Sequence, residues 1–434
     1  MVLLLLHASL VALVGLVGGC RAGNDKGTDG WETRYTETAT AVVEASAATA
    51  VTKSPVSHVG GKAFDRLAII FFENQNFEKA RGDPNFAWLA TKGVALTNYY
   101  GVTHPSQPNY MASVAGDYFG MNHDDFSRAP RSVATVMDLL DERGIAWGLY
   151  QEDMPFSGFE GGAWVNRDNG ANDYVRKHNP AVLHDSVATW EGRLAQIKNL
   201  SLARPGESAF HMDLAARRLP QWMFITPNMT SDGHDTSVTH AGRWARHFLE
   251  PLLDDGRFMD RTLVLVTWDE SETYAARNRV LGLLLGDAVP PELVGSQDDH
   301  FYTHYSQISS VSANWDLPTL GRWDVGANVF QFVGAKTGDT PRRFPSETAL
   351  QARYWNVSYN GYFHTAGADG LGNGAKGIPS PNLALDRNTH NRRPILASVR
   401  DTWSKNPDGA STYYADIIDV PDGLQPPQGW APDP

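Results

Sequence analysis

Cysteine is almost missing from this chain. The single one, Cys20, sits at the end of an apolar leader, so a framework of disulfides is excluded and stability must come from a core. A chain of 434 residues is long enough for one large core or two modest ones, and 13 Trp, 15 Tyr and 18 Phe supply the bulk. Clusters of Lys and Arg are missing as well. With a net charge of −12 and no basic stripe, sequence-independent binding to nucleic acid has no electrostatic footing. Beyond the leader no apolar run is long enough to cross a bilayer, so no stable membrane partner is expected.

What is present begins with that leader. Residues 2–19 are nearly all apolar, and the small residues Cys20 and Ala22 fit cleavage after Ala22, which predicts a signal peptide over 1–22. An uncleaved anchor and a lipid on Cys20 are the alternatives. Residues 23–61, rich in Ala, Thr, Val and Ser without a lasting period, read as a low-complexity linker or loosely held arm. Globular character starts at Phe64, and a catalytic domain is expected over 62–340. The rest, 341–434, is rich in Gly, Pro and Asn and is expected to lie on that domain as a loop-rich extension with an extended tail. Asn199, Asn228 and Asn356 open N-x-S/T sequons, candidate glycosylation sites if the chain is secreted.

Within the domain, short apolar runs alternate with helical patterns, the signature of an α/β sheet flanked by helices. Strands are predicted over 67–72, 145–150, 222–226, 263–267 and 280–285. Helices are predicted over 133–143, 187–198, 240–254 and 327–335. Three of the strands run straight into polar residues. LAIIFF meets Glu73-Asn74, LVLVT leads through Trp268 to Asp269-Glu270, and WMFIT leads to Asn228, Asp232, His234 and Asp235. Ligands in open α/β sheets bind beyond the carboxyl ends of strands, so these residues are candidates to meet in one site. Any one such pair is more often a loop start or a cap. Glu73, Asn74, Asp269 and Glu270 offer oxygen ligands only, which suits one hard divalent cation, Mg²⁺, Ca²⁺ or Mn²⁺, ahead of Zn²⁺. Ser106, bracketed by Pro105 and Pro108, falls near the start of a helix, where free N–H groups favour phosphate. It reads equally well as a plain N-cap. His104, His178, His234 and His304 lie in turn-rich segments near these motifs. His234, in SDGHD, is the one placed to reach an anionic substrate.

Long ordered blocks, among them FFENQNFE, VTHPSQPNYMASVAGDYFGMN, LPQWMFITPNMTSDGHDTSV and LVLVTWDESETY, resemble the fungal phosphate-repressible acid phosphatases. These belong to a phosphoesterase group shared with bacterial phospholipases C. The resemblance implies an alkaline-phosphatase-like fold with a central mixed, mostly parallel sheet. It implies Ser106 as nucleophile and His234 as a catalytic histidine, with Glu73, Asn74, Asp269 and Glu270 as metal ligands. His178, His304, Asn109 and Asn122 would touch substrate. Met111 and Val325 stand where that group has cysteines, which implies absent disulfides, and Gln107 stands where a Glu is common. The expected activity is a secreted acid phosphatase acting on small phosphate monoesters, outside the cell and free or held at the wall. A phospholipase C-type phosphodiesterase is the alternative, and a non-catalytic binding protein a weaker one.

Overall fold

The computed structural model describes residues 39–165, 170–171, 173–366, 374, 377–405 and 413–420. The leader, the first part of the linker and the tail from 421 onward lie outside them. The strands are β1 (Arg66–Phe72), β2 (Gly93–Tyr100), β3 (Trp147–Glu152), β4 (Ala163–Trp164), β5 (Tyr174–Val175), β6 (Ile197–Leu200), β7 (Trp222–Thr226), β8 (Thr262–Trp268), β9 (Arg279–Leu285), β10 (Gln297–Asp298) and β11 (Tyr302–Thr303). Among the described residues nine of them form one sheet in the order β10-β2-β9-β8-β1-β7-β3-β6, with β11 beside β2. Only β9 runs against its neighbours, so the sheet is mixed and mostly parallel. Its centre is buried on both faces, which is why RLAIIFF, TLVLVTW and RVLGLLL read as continuous apolar runs rather than alternations.

Among the helices are α1 (Thr40–Ala47), α2 (Ser106–Ala115), α3 (Val136–Glu142), α4 (Val238–Leu253), α5 (Tyr305–Trp315), α6 (Gln331–Thr337) and α7 (Ala397–Trp403). Successive residues of a strand point to opposite faces. Phe71 of β1 meets Tyr110 of α2 edge-on at 5.1 Å, while Phe72 meets Trp244 of α4 edge-on at 5.7 Å. The two helices therefore cover opposite faces of the sheet.

The five predicted strands are present within two residues at each end. Two helix predictions need correction. Residues 187–198 hold two single helical turns, Asp185–Ala188 and Glu191–Leu194, and then turn into β6. The open edge of β3 takes residues 197–200 as a parallel partner, and that pairing overrides the helical pattern. The helix expected over 327–335 starts at Gln331, because Asn328 is drawn into the backbone of Phe301 and Arg342.

Both flanking segments are tied to the domain where they are described. Residues 53–59 lie across the amino ends of the strands, with Ser57 Oγ and Val59 N–H donating to Gln221 Oε1 at 2.6 and 2.9 Å. Toward the other end of the chain, the Asp117 carboxylate accepts from Tyr359 and Tyr414 hydroxyls at 2.8 and 2.6 Å. Arg322, itself buried, donates to Tyr414 and to the Pro379 carbonyl. This buried polar knot holds three separate stretches of the Gly/Pro-rich extension against the domain.

Candidate active site

The register of the sheet builds the site. β1 and β8 are parallel neighbours with Phe72 opposite Trp268, so the residues that follow, Glu73 and Asp269, emerge side by side at the carboxyl edge. Asn74 then adopts a left-handed conformation (φ 61°), which Asn tolerates better than most residues. That turn points its N–H at Asp269 Oδ1, 3.0 Å away, and Glu270 N–H donates to the same oxygen at 2.7 Å. From β7 the chain runs to Asp232, and Gly233 takes φ 102°, a conformation suited to glycine, to pass close to the Glu73 carbonyl.

Ser106 is the first residue of α2, and every residue of that helix is buried. Its role as a cap is not what the geometry shows. Pro105 occupies the capping position with no side-chain capping bond, and the Ser106 hydroxyl donates instead to Glu73 Oε1. Pro108 falls in the first turn, where a missing N–H costs nothing. Asn109 organises the approach to the helix: its oxygen accepts from Val102 N–H at 2.9 Å, and its nitrogen donates to the Thr103 carbonyl at 2.7 Å and to Glu270 Oε2 at 3.2 Å.

Around Glu73 stand His178, with Nε2 at 3.1 Å from Oε1, and Asp232, with Oδ2 at 3.7 Å from His178 Nδ1. Tyr110 of α2 stacks on the His178 ring at 4.8 Å. Glu73, His178 and Asp232 are close enough together to share an ion. Lys177 donates to Asp124 Oδ2 at 2.8 Å, and Asp124 Oδ1 accepts the N–H of Gln107, next to the serine, at 3.0 Å.

Burial, and then the charge on Glu73, push Asp232, Asp269 and Glu270 well above the ordinary carboxylate range. Burial acts the same way on Glu73, but His178 and Lys177 outweigh it and leave Glu73 lowered. Four buried carboxyls in one pocket call for positive charge. Asn74 Oδ1, Asp269 Oδ2 and Asp232 Oδ2 are buried without a hydrogen-bond partner, as oxygens waiting for a cation would be.

The structure thus brings together Glu73, Asn74, Ser106, Asn109, His178, Asp269 and Glu270. Other expected contacts lie elsewhere. His234 is 31% exposed and paired with Asp235 Oδ1 at 2.7 Å, because its backbone, not its ring, is drawn to Asp232. His304 is buried behind the site, donating from Nε2 to the Asp269 carbonyl at 2.6 Å, so it props that backbone rather than facing substrate. Asn122 is occupied by Thr365, accepting from its N–H at 3.0 Å and donating to its carbonyl at 2.9 Å. Two sequons are corrected too. Asn228 is buried with its nitrogen bonded to Asp153 at 2.7 Å, and Asn356 is buried with its nitrogen bonded to two carbonyls. A sugar would have to displace these bonds, and the same holds at half-buried Asn199, whose nitrogen donates to the Glu207 carbonyl at 3.0 Å.

Sequence reasoning did not assign Lys177, Asp124, Tyr110 or Asn356 to the site, and named Asp232 only among the residues that follow a strand. The first three fall within or beside blocks already singled out. Asn356 gave no signal, since its sequon pointed outward.

A sequence profile of the phosphoesterase family matches residues 74–318. An acid phosphatase of Aspergillus fumigatus is 52% identical over 310 residues, covering 70% of this chain and 68% of that protein. A phosphate-repressible acid phosphatase of Penicillium chrysogenum is 50% identical over 314 residues, 71% of this chain and 74% of its own. Among solved structures, a protein of the alkaline phosphatase superfamily from Vibrio parahaemolyticus aligns over 64% of this chain and 75% of its own, at 12% identity and a TM-score of 0.38. With more than half of its length matched to the profile, and relatives identical at half of the aligned positions, the chain belongs to the phosphoesterase family.

Proposed function

We propose that the chain is a secreted acid phosphatase that hydrolyses phosphate monoesters through a phosphoserine at Ser106, beside one divalent cation. The observation that carries this reading is the Ser106 hydroxyl, buried at the start of α2 and directed into a pocket of carboxylates with unpaired oxygens. Glu73, Asn74, Asp269 and Glu270 would hold the cation, and their all-oxygen character favours Mg²⁺, Ca²⁺ or Mn²⁺ over Zn²⁺. Once bound, such an ion polarises a phosphoryl oxygen and favours ionisation of the serine.

The chain's own groups account for the rest. Glu73 accepts the Ser106 hydroxyl hydrogen and orients the oxygen for attack; held below the ordinary carboxylate range, it passes the proton on to solvent. The positive end of α2, where Gln107 N–H is already held by Asp124, and the charge of Lys177 attract the anionic ester. Ser106 Oγ attacks phosphorus, the ester oxygen leaves, and water then cleaves the phosphoserine. The leaving oxygen takes its proton from solvent; the role expected of His234 would require its exposed ring to release Asp235 and turn into the pocket. The names of the relatives, acid phosphatases, support the monoester reading. The leader supports secretion, with the mature chain beginning near Gly23; among the described residues no helix is long and apolar enough to cross a membrane.

The test is an assay of purified protein on nitrophenyl phosphate monoester and diester across pH, with and without chelator, in the native form and in Ser106→Ala. Expected are preference for the monoester, loss with chelator, recovery with Mg²⁺ or Mn²⁺, and a loss of several orders of magnitude in Ser106→Ala. Because Ser106 is no cap, the melting temperature of that variant should hardly move. More than a few per cent of activity left in Ser106→Ala would overturn the phosphoserine, and full activity in metal-free protein would overturn the cation.

A further inference from the structure

Residues 354–366 form a strap that lies beyond the segment matched to the family profile, yet it reaches the centre of the site. Ser358 Oγ is 2.7 Å from Thr103 Oγ1, and Asn278 donates both to the Trp355 carbonyl at 3.1 Å and to the Thr103 carbonyl at 2.8 Å. Asn278 in turn accepts from Ser271 N–H at 2.8 Å, so the strap, the loop before Ser106 and the loop after Glu270 share one bonding system.

Asn356 is its most informative member. The nitrogen donates to the carbonyls of Tyr274, at 3.1 Å, and Ala276, which fixes the orientation of the amide without ambiguity. Its oxygen can therefore only accept, and it does so from His104 Nε2 at 2.9 Å. With Nε2 committed as donor, the opposite edge of the ring is turned to the site, and Nδ1 lies 2.9 Å from Glu270 Oε2, so the two hold each other by sharing one proton, carried on the ring or on the carboxyl. Tyr274 lies over the same ring at 3.7 Å, closing its remaining freedom. His104, Asn356 and Glu270 are all buried, so water does not compete for these contacts.

We propose that Asn356 is a positioning residue of the active site: it locks His104 against Glu270 and so fixes the Glu270 carboxylate beside Ser106. The inference rests on the reading that Glu270 helps to hold a cation. Partners of this kind behind a ligating carboxylate typically change metal affinity or activity 10–100-fold when removed.

Mn²⁺ alone is the probe, titrated into the full-length protein by calorimetry, with kcat, KM and melting temperature measured on the same samples. Asn356→Ala and His104→Gln should each weaken Mn²⁺ binding and lower kcat by about 10-fold or more, with KM much less affected. His104→Asn, whose shorter amide can stand where Nδ1 stood but cannot reach Asn356, should stay as impaired as His104→Gln, and native Mn²⁺ affinity in it would overturn the role of Asn356. A variant destabilised without a positioning effect would lose melting temperature but keep native Mn²⁺ affinity below its melt, and that result overturns the proposal. Failure of the unmutated protein to bind Mn²⁺ would instead overturn the cation reading. Should the variants not fold, nitrogen NMR of labelled histidine in the unmutated protein decides. Nε2 of His104 must carry hydrogen and Nδ1 must shift on adding Mn²⁺ or diamagnetic Mg²⁺; an unmoved Nδ1 overturns the proposal.

Discussion

Glu152 closes β3 with both oxygens engaged, accepting from Trp244 Nε1 at 2.8 Å and from Asn228 N–H at 3.0 Å. Burial, reinforced by Asp153, pushes its carboxyl up to about 7. An acid whose folded pKa exceeds its unfolded one stabilises the fold when protonated. That contribution is complete below the unfolded value near 4.5 and is lost as pH rises through about 7. Stability should therefore fall between pH 5 and 8, and Glu152→Gln should flatten the slope even where it lowers the melt, by removing on the order of 2–3 kcal/mol of pH dependence. Melting curves of both forms at pH 5 and pH 8 check this; parallel curves would remove Glu152 as the cause. At this scale the sequence was readable where chemistry followed directly from a strand end. Glu73, Asn74, Asp269 and Glu270 were legible because the carboxyl edge of a parallel sheet is where side chains can converge. His234 and His304 were misplaced because a histidine's neighbours in sequence say nothing of which way its ring turns.

Among the described residues β9 is the one reversed strand of the sheet, and it lies between β2 and β8. Leu284 on it is buried and pairs with Val94 and Leu265, remote from the catalytic edge. Leu284→Ala should lower stability by about 2–5 kcal/mol while leaving kcat per folded molecule unchanged, read by denaturant unfolding beside the assay. A matching loss of kcat would mean that the strand carries the site's geometry as well as its weight. Strands of this kind were legible because burial on both faces leaves an unbroken apolar run. α5 was not legible, for the opposite reason. Its sequence YSQISSVSANW is buried throughout although half polar, and the serines find internal acceptors, Ser309 on the Ala327 carbonyl and Ser312 on the Pro318 carbonyl, both at 3.0 Å. A pattern rule sees a solvated helix there; the hydrogen bonds make it core. β6 escaped for a third reason, since what makes it a strand is its neighbour β3.

At the scale of the molecule, the extension beyond residue 340 is part of the fold. Trp355 and Tyr414 are fully buried, and Asp117, which also accepts the N–H groups of Tyr118 and Phe119, takes both of its hydroxyl donors from Tyr359 and Tyr414. A chain ending at 340 should strip Asp117 of both hydroxyl donors and Arg322 of its Tyr414 and Pro379 acceptors, at a cost of several kcal/mol, and should yield no soluble protein with a cooperative melt. Recovery of a folded, active truncated chain would show that the knot is dispensable. Composition had suggested loops lying on a domain, but Gly, Pro and Asn counts carry no information about which tyrosines reach an aspartate far back in the chain.

The burial of Asn356 also sets a clock. Chains fold from the amino end as they are made, at roughly 5–20 residues per second. Glu73, His104, Ser106 and Glu270 have all left the ribosome before Asn356 appears. On a secretory route the sequon enzyme and the waiting pocket compete for the same amide, and a sugar fixed there first would keep the strap from seating. The yield of active enzyme then depends on which arrives sooner, so slowing translation or folding after residue 356 should raise the share of permanently misassembled chains.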